Sequence, residues 1–297
     1  MDQWSEHFAP QLAALDTLAE HDGHMTRAAE ALGIPQSSMS RRIRALEKSL
    51  GIPLLIQDGR LVRLTPAAAE LARQLRGPLR QVDSTIEAIA SDADPERGIV
   101  RFGFPLTMGS GPVPDLLAEF RRRHQGIRVV LKQAHGAELA SDLVAGRLDL
   151  AITIPAPDRL PHRLIGTQRI FAVLPETCAL ASRSAIAIEE LAGETFIANP
   201  VTYNLRILTE SWCNTAGFTP RISMEVTEFA TIRELICRGL GIGLLPHDEH
   251  TPQGAVEVPL SGAAYERPIA LSWGAAVEAP ATRRLSSFVI ERWTEPT

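Results

Sequence analysis

The segment QSSMSRRIRALEKSL, residues 36–50, concentrates side chains that can recognise DNA. It holds three arginines and one lysine against one glutamate, although the whole chain has a formal net charge of −5. Serine and glutamine hydrogen-bond the edges of bases, and arginine binds guanine or phosphate through paired N–H groups. Because surface charge acts over a short range at physiological salt, a basic segment can attract a polyanion even on an acidic protein. The segment therefore predicts a DNA-binding surface; on charge alone, the alternative is an ordinary solvated helix face.

The pattern around this segment predicts a helix-turn-helix followed by a wing. The apolar residues of this segment recur at the spacing of a buried helical stripe, which leaves the polar residues of the N-terminal half toward solvent; they are Met39, Ile43, Leu46 and Leu50. A short alanine-rich helix precedes them and ends at Gly33. In this motif the N-terminal half of the second helix enters the major groove, and the hairpin predicted over residues 53–66 suits contact with the DNA backbone. The predicted DNA-binding residues are Thr26, Gln36, Ser37, Ser38, Ser40, Arg41, Arg42, Arg60 and Arg63.

Two motifs, TRAAEALGIPQSSMSRRIRALEKSLGIPLL and GRLVRLTPA, carry a family resemblance. Together they resemble the winged helix-turn-helix of LysR-type transcriptional regulators. The resemblance implies a regulator that binds double-stranded promoter or operator DNA. Two positions depart from the family pattern, since Gln57 stands where a basic wing residue is usual and Leu55 replaces a common aromatic residue. The first departure weakens one expected phosphate contact, and the second affects only packing.

An apolar repeat follows the predicted wing from Pro66 onward. Its residues recur every three or four positions, the near-heptad spacing by which helices pair; they are Leu71, Leu75, Leu79, Val82, Ile86 and Ile89. This stripe predicts a long helix that either pairs with a second copy or packs on its own domain. Pro78 predicts a kink, because proline removes one helical hydrogen bond. The family resemblance favours pairing and implies a homo-oligomer, a dimer of dimers.

From Ile99 onward strand patterns alternate with helix patterns, which predicts a multi-domain α/β protein whose C-terminal sheet is mostly parallel. The late segments RPIALSWG and ATRRLSSFVIERW return to the first unit, so we expect two lobes with crossovers near Gly166 and near Arg267. The motifs GRLDLAI and RGLGIGLLP resemble the family's effector domain, which is similar to periplasmic binding proteins. The predicted domains are a winged helix-turn-helix at 1–65, a linker helix at 66–92, a hinge at 93–98 and an effector-binding domain at 99–297, with lobe I at about 99–167 and 268–297 and lobe II at about 168–267.

Candidate ligand-binding residues follow the predicted strands of this domain. In doubly wound lobes a small molecule binds at the carboxyl ends of strands and near helix N-termini. Free helix N-termini favour anions, so a small organic acid or amino acid is the expected effector, and the resemblance places it between the lobes. The alternative for Thr107 and Thr231 is that they simply cap helices. The predicted effector-binding residues are Thr107, Ser110, Ile154, Asn199, Thr202, Phe229 and Thr231.

Enzymatic and metal-binding motifs are missing from the sequence. It contains no GxSxG, P-loop or HExxH motif, and GLGIG has the order helix, glycines, strand, the reverse of a dinucleotide fingerprint. The HxxH pairs His21/His24 and His247/His250 fall in predicted surface turns. We therefore predict no catalytic activity, no metal and no cofactor.

Features of the whole chain predict a cytoplasmic protein without a membrane partner. The N-terminal residues lack the basic start and apolar run of a signal peptide, and no stretch approaches the ~18 apolar residues of a membrane helix. Three cysteines without a CxxC pair suit a reducing compartment. The alternative is a cytoplasmic ligand-binding protein of the periplasmic-binding-protein type with thiol-based sensing through Cys178, Cys213 or Cys237. The predicted winged helix argues against it.

Overall fold

The chain divides into two compact units, one formed mainly by residues 1–89 and the other by residues 90–143, 148–274 and 278–297. The computed structural model describes residues 8–58, 61–91, 97–109, 111–248, 251–274 and 278–294. Most of the predicted hinge at 93–98 lies outside these ranges. Within them, no helix is both long and apolar enough to cross a membrane.

The N-terminal unit is a small helical core joined to a two-stranded hairpin. Leu15 and Leu18 are fully buried, as are Met39, Ile43 and Leu46 of the stripe predicted in the second helix. The prediction was wrong for the last residue of the stripe, Leu50, which is 40% exposed at the end of the helix. Glu47 ties this helix to the hairpin, because its Oε1 accepts the backbone N–H of Leu54 at 2.9 Å. The elements are α1 (Ala9–Glu20), α2 (Met25–Ala31), α3 (Gln36–Leu50), β1 (Leu55–Asp58), β2 (Leu61–Leu64) and α4 (Pro66–Ser91).

The long helix α4 divides its apolar stripe between two environments. Leu71, Leu75 and Leu79 pack against the core of the N-terminal unit, which is the own-domain alternative for this half of the stripe. Arg76 strengthens that attachment through an ion pair between its Nε and Asp16 Oδ1 of α1, at 2.8 Å. Farther along, Val82 and Ile86 are 54% and 60% exposed. The helix continues through Pro78 to Ser91.

The second unit contains one large mixed sheet and a small parallel pair. The large sheet has the strand order β4-β3-β5-β12-β6-β11-β7, with β10 also paired to β6, and the small pair is β8 with β9. The strands are β3 (Gly98–Pro105), β4 (Ile127–Ala134), β5 (Leu150–Thr153), β6 (His162–Pro175), β7 (Ile186–Ala187), β8 (Thr195–Ala198), β9 (Arg221–Glu225), β10 (Gly243–Pro246), β11 (Ala255–Ser261) and β12 (Glu266–Trp273). The helices are α5 (Pro112–Arg123), α6 (Gly136–Val144), α7 (Asn204–Thr215), α8 (Phe229–Cys237) and α9 (Pro280–Thr294).

The prediction of a mostly parallel sheet was wrong for the strands that connect the lobes. β3 runs parallel to β4 and β5, as the alternating pattern requires. However, β6 is antiparallel to β10, β11 and β12, and β12 is antiparallel to β5. β6 carries the chain from the first lobe into the second and β12 carries it back, so the two strands run in opposite directions and pair antiparallel.

Strand β6 links two separate hydrophobic cores. Ile165 belongs to the core formed with β3, α5 and α9, whereas Ile170 belongs to the core formed with α7, α8 and β10. β12 pairs with β6 from His162 to Arg169, and β11 takes over from Phe171. Both predicted crossovers, near Gly166 and near Arg267, therefore fall on adjacent strands of one ladder.

Candidate functional site

Helix α3 presents its N-terminal polar residues to solvent. Met39, Ile43 and Leu46 face the core, and this orientation leaves Gln36, Ser37 and Arg41 exposed, with Ser38, Ser40 and Arg42 half-buried beside them. Arg41 Nη2 donates to Ser38 Oγ at 3.3 Å, one turn earlier on the helix. The arrangement therefore places short hydrogen-bonding side chains and the guanidinium group of Arg41 on one solvent-accessible surface.

A concave surface of about 710 Å³ adjoins this helix end in the same unit. Its lining includes Thr26 of α2, Gln36 of α3 and Arg63 of β2, three of the predicted DNA-binding residues. Gly23 shapes the junction, because a Cβ there would come within 2.5 Å of the Val62 carbonyl oxygen. Arg60, also predicted to contact DNA, lies outside the described residues.

The second unit contains a cavity of about 300 Å³ next to the strands that link its two cores. Four predicted effector-binding residues line it, although they come from distant parts of the chain: Thr107, Ile154, Thr202 and Phe229. Thr107 lies in a 3-10 turn directly after β3, and Phe229 begins α8. The residues that follow the strands thus meet at one cavity.

Three other predicted effector-binding residues do not line this cavity or cannot be placed. Asn199 is buried, and its Nδ2 donates to the Val226 carbonyl oxygen at 3.0 Å, which joins the end of β8 to the segment after β9. Thr231 is exposed on α8. Ser110 lies outside the described residues. Neither Thr107 nor Thr231 is the cap of its helix, since those positions are Pro105 and Glu228.

The sequence analysis did not identify Gln168 and Arg267 as functional residues. Arg267 lines the cavity while only 5% exposed, and its Nε and Nη2 donate to Gln168 Oε1 at 2.9 and 2.7 Å. Gln168 Nε2 in turn donates to Thr107 Oγ1 at 3.3 Å. Burial lowers the pKa of Arg267 to about 10, so the guanidinium remains charged at neutral pH. The sequence did contain a signal that Arg267 is buried, because this arginine alternates along β12 in step with the inward residues Ile269 and Leu271.

The remainder of the cavity wall is mainly apolar, with aromatic rings on one side. Leu106, Ile154 and Leu205 contribute aliphatic surface. The rings of His135 and Tyr203 lie with their centroids 5.1 Å apart and both line the cavity. Burial, together with the Glu228 and Glu138 carboxylates, raises the pKa of Tyr203, so its phenol stays neutral at pH 7.

Two family models match the chain in consecutive regions. The model for the "LysR substrate binding domain" matches residues 93–294. The model for "Bacterial regulatory helix-turn-helix protein, lysR family" matches residues 10–69. The chain belongs to the LysR family. It is thus a LysR-type transcriptional regulator with a helix-turn-helix and an effector-binding domain. The alternative of a ligand-binding protein alone does not account for the helix-turn-helix match at residues 10–69.

Known LysR-family proteins match almost the whole length of the chain. The transcriptional regulator YybE of Bacillus subtilis (strain 168) is 31% identical over 289 residues, which cover 96% of this chain and 99% of YybE. A full-length OxyR variant from Pseudomonas aeruginosa has a TM-score of 0.77 at 20% identity and covers 96% of this chain and 98% of its own. Full-length CbnR, complexed with its target DNA, has a TM-score of 0.68 at 20% identity over 96% and 99%. The two structures establish the shared fold.

The three cysteines of this LysR-family chain are free thiols, of which Cys178 and Cys237 are partly exposed. Cys213 is fully buried in the core of the second lobe, and burial raises its thiol pKa to about 12. A thiol in that environment stays protonated and is a poor nucleophile at neutral pH. Across the described residues no group of histidine, cysteine and carboxylate side chains is arranged to hold a metal ion.

Proposed function

We propose that this protein regulates transcription in the cytoplasm by binding DNA through α3 and the wing, and that a small organic acid in the cavity alters this binding. The proposal includes no catalytic step. The observation that carries it is the exposed polar and basic N-terminal half of α3, whose opposite face packs into the core beside the hairpin.

For DNA binding, the proposed recognition residues divide into two groups. Gln36, Ser37 and Arg41 are exposed on α3 and would reach base edges, because this half of the helix enters the major groove in helix-turn-helix proteins. Thr26 and Arg63 line the adjacent concavity and would contact the phosphate backbone. Ser38, Ser40, Arg42 and Arg60 complete the proposed set. The fold shared with CbnR, whose structure contains its target DNA, supports this assignment.

For effector binding, the proposed residues are Thr107, Ile154, Thr202 and Phe229, which line one cavity. The cavity adjoins β6 and β12, the strands that pass between the two cores, so a ligand there can favour one arrangement of the lobes. The ligand shifts the DNA-binding equilibrium by no more than its difference in affinity for the two arrangements.

Oligomer formation would place two winged helices on one operator. In this proposal residues 1–65 bind DNA, 66–92 pair copies of the chain, 93–98 act as the hinge and 99–297 bind the effector. The exposed Val82 and Ile86 on α4 support pairing through the second half of that helix. We propose a dimer of dimers, in which the paired helices set the spacing of the half-sites.

The proposal is tested by selecting binding sites from random DNA duplexes with the full-length protein, so that the selection itself reveals the preferred operator sequence. We expect an enriched motif and an affinity for it that falls steeply as salt rises. Arg41→Ala should weaken binding to the selected site by about 1–3 kcal/mol. Arg121→Ala, which removes the same charge from the exposed surface of α5, should leave it unchanged. Failure to enrich any motif, even at low salt, would reject the DNA-binding function.

A further inference from the structure

One buried charge in the second unit has no counterion among the residues that the structure describes. Three arginines of these residues are buried: Arg206, Arg233 and Arg267. Arg206 forms ion pairs with Glu210 and Glu225 at 2.7 and 2.8 Å, and Arg233 forms one with Glu257 at 3.0 Å. No carboxylate of the described part of the chain forms an ion pair with Arg267, whose two hydrogen bonds to Gln168 reach only a neutral amide oxygen.

An isolated buried cation is energetically costly, so its surroundings normally provide a compensating negative charge. The protein does so for the other two buried arginines. Arg267 differs because it lies in the wall of a cavity, where a bound molecule can provide that charge. Its position is also well defined, because the antiparallel ladder places Arg267 directly opposite Gln168.

Gln168 orients the polar groups on this side of the cavity. Its carbonyl oxygen accepts both N–H groups from Arg267, which fixes its amide group with the nitrogen toward Thr107. Thr107 Oγ1 accepts that N–H, and this leaves the Thr107 hydroxyl hydrogen for an acceptor inside the cavity. A guanidinium and a hydroxyl donor in one wall are the groups that bind a carboxylate.

We infer that Arg267, Gln168 and Thr107 form a built site for a single carboxylate, and that the effector is a monocarboxylate with an apolar body. This inference rests on the proposed function and defines its ligand class. Leu106, Ile154 and the other apolar residues of the wall enclose the body of the ligand. A second carboxylate finds no further buried cation in the described lining, and Asp158 in the same lining repels it.

The test uses the full-length protein without DNA and four pairs of probes. The probes are benzoate, phenylacetate, 3-phenylpropionate and hexanoate, each compared with its uncharged amide by thermal unfolding and calorimetry. We expect at least one carboxylate to raise the unfolding temperature in a concentration-dependent way, and its amide to bind about 10- to 100-fold more weakly. Phthalate, with a second carboxylate, should bind more weakly than benzoate.

A variant that supplies an internal counterion separates ligand recognition from folding. Gln168→Glu places a carboxylate beside Arg267 and should raise the unfolding temperature of the free protein while reducing carboxylate affinity about 10- to 100-fold. Arg267→Met should lose the same affinity by removing the cation. Arg163→Met, on the exposed part of β6, removes an equal charge and should leave carboxylate binding unchanged.

The inference is overturned if no carboxylate stabilises the wild-type protein, if the amides bind equally well, or if Gln168→Glu binds carboxylates normally. These outcomes are distinct from failure of the proposed function. If carboxylates bind through Arg267 but leave DNA binding unchanged, the site stands and the effector role fails. If a carboxylate alters DNA binding equally in wild type and Gln168→Glu, regulation stands and this site assignment fails.

Discussion

Arg233 and Arg267 show how the same buried side chain can serve structure in one place and recognition in another. Arg233 on α8 is only 2% exposed, and its Nη2 lies 3.0 Å from Glu257 Oε1 of β11. It also donates to the Pro246 carbonyl oxygen at the end of β10. Arg267 is almost as buried but faces an amide and a cavity. The first arginine has its counterion within the fold, and the second has its charge available to a ligand.

The Arg233 cluster joins three elements of the second lobe. Glu257 Oε1 forms the ion pair with Arg233 and accepts a hydrogen bond from Thr251 Oγ1 at 3.0 Å. The other carboxylate oxygen of Glu257 lies 2.6 Å from His247 Nδ1. Burial lowers the pKa of Arg233, an effect that Glu257 and Asp248 oppose. A buried arginine that links a helix to two strands is therefore expected to hold the lobe together.

The largest expected effect comes from removing the structural arginine. Arg233→Met leaves the Glu257 carboxylate, which is 11% exposed, without its buried partner. We expect the free energy of unfolding to fall by about 3–5 kcal/mol, measured by urea denaturation. The matched control is Arg238→Met, directly after the C-terminal end of α8, which breaks an exposed pair with Glu234 and should leave the free energy of unfolding almost unchanged. Equal losses in the two variants would contradict the structural role of Arg233.

A smaller effect is expected from removing the Thr107 hydroxyl, which is linked to Arg267 through Gln168. Thr107→Val keeps the shape of the side chain but removes one donor to the bound carboxylate. Affinity for the best carboxylate probe should fall about threefold to tenfold, while DNA affinity without ligand stays the same. Thr167→Val, an exposed change on β6, serves as the control. An unaltered titration of Thr107→Val would leave Thr107 with no role in binding.

The smallest expected change is in the free energy of unfolding when Arg267 is replaced. Arg267→Met removes a costly buried charge but also leaves Gln168 Oε1 without its donors. Because these contributions oppose each other, the free energy of unfolding should change by less than about 1 kcal/mol, in the urea assay used for Arg233→Met. If Arg267→Met lowered the free energy of unfolding as much as Arg233→Met does, the distinction between the two arginines would be wrong, because both would then be structural.

The helical periodicity and the strand ends could be predicted because they depend on local sequence. Met39, Ile43 and Leu46 identify the buried face of α3 without any long-range information. Thr107 and Ile154 could be proposed because each follows a strand, and the structure places both at the cavity. Thr231 was proposed on similar grounds but does not line the cavity. It is exposed to solvent, and the direction of its side chain depends on how α8 packs.

The Arg267–Gln168 pair could not be predicted because it depends on strand register. These residues are 99 positions apart in sequence, and only the alignment of β12 with β6 brings them opposite each other. The same limitation explains the error over the mostly parallel sheet, since strand direction is decided by which strands become neighbours. Likewise, nothing in the repeat from Leu71 to Ile86 indicates where it stops facing its own core and becomes exposed.

The continuous strand β6 limits the mechanical response of the second unit. Its 14 residues pass from one core into the other with no intervening loop, and β12 is bonded beside it across the passage. Rotation of one lobe against the other must therefore be absorbed as torsion of a two-stranded ribbon, which resists wide opening but permits small changes in twist. Since the Gln168–Arg267 pair is one rung of that ribbon, ligand binding there would change the torsional stiffness of the joint itself.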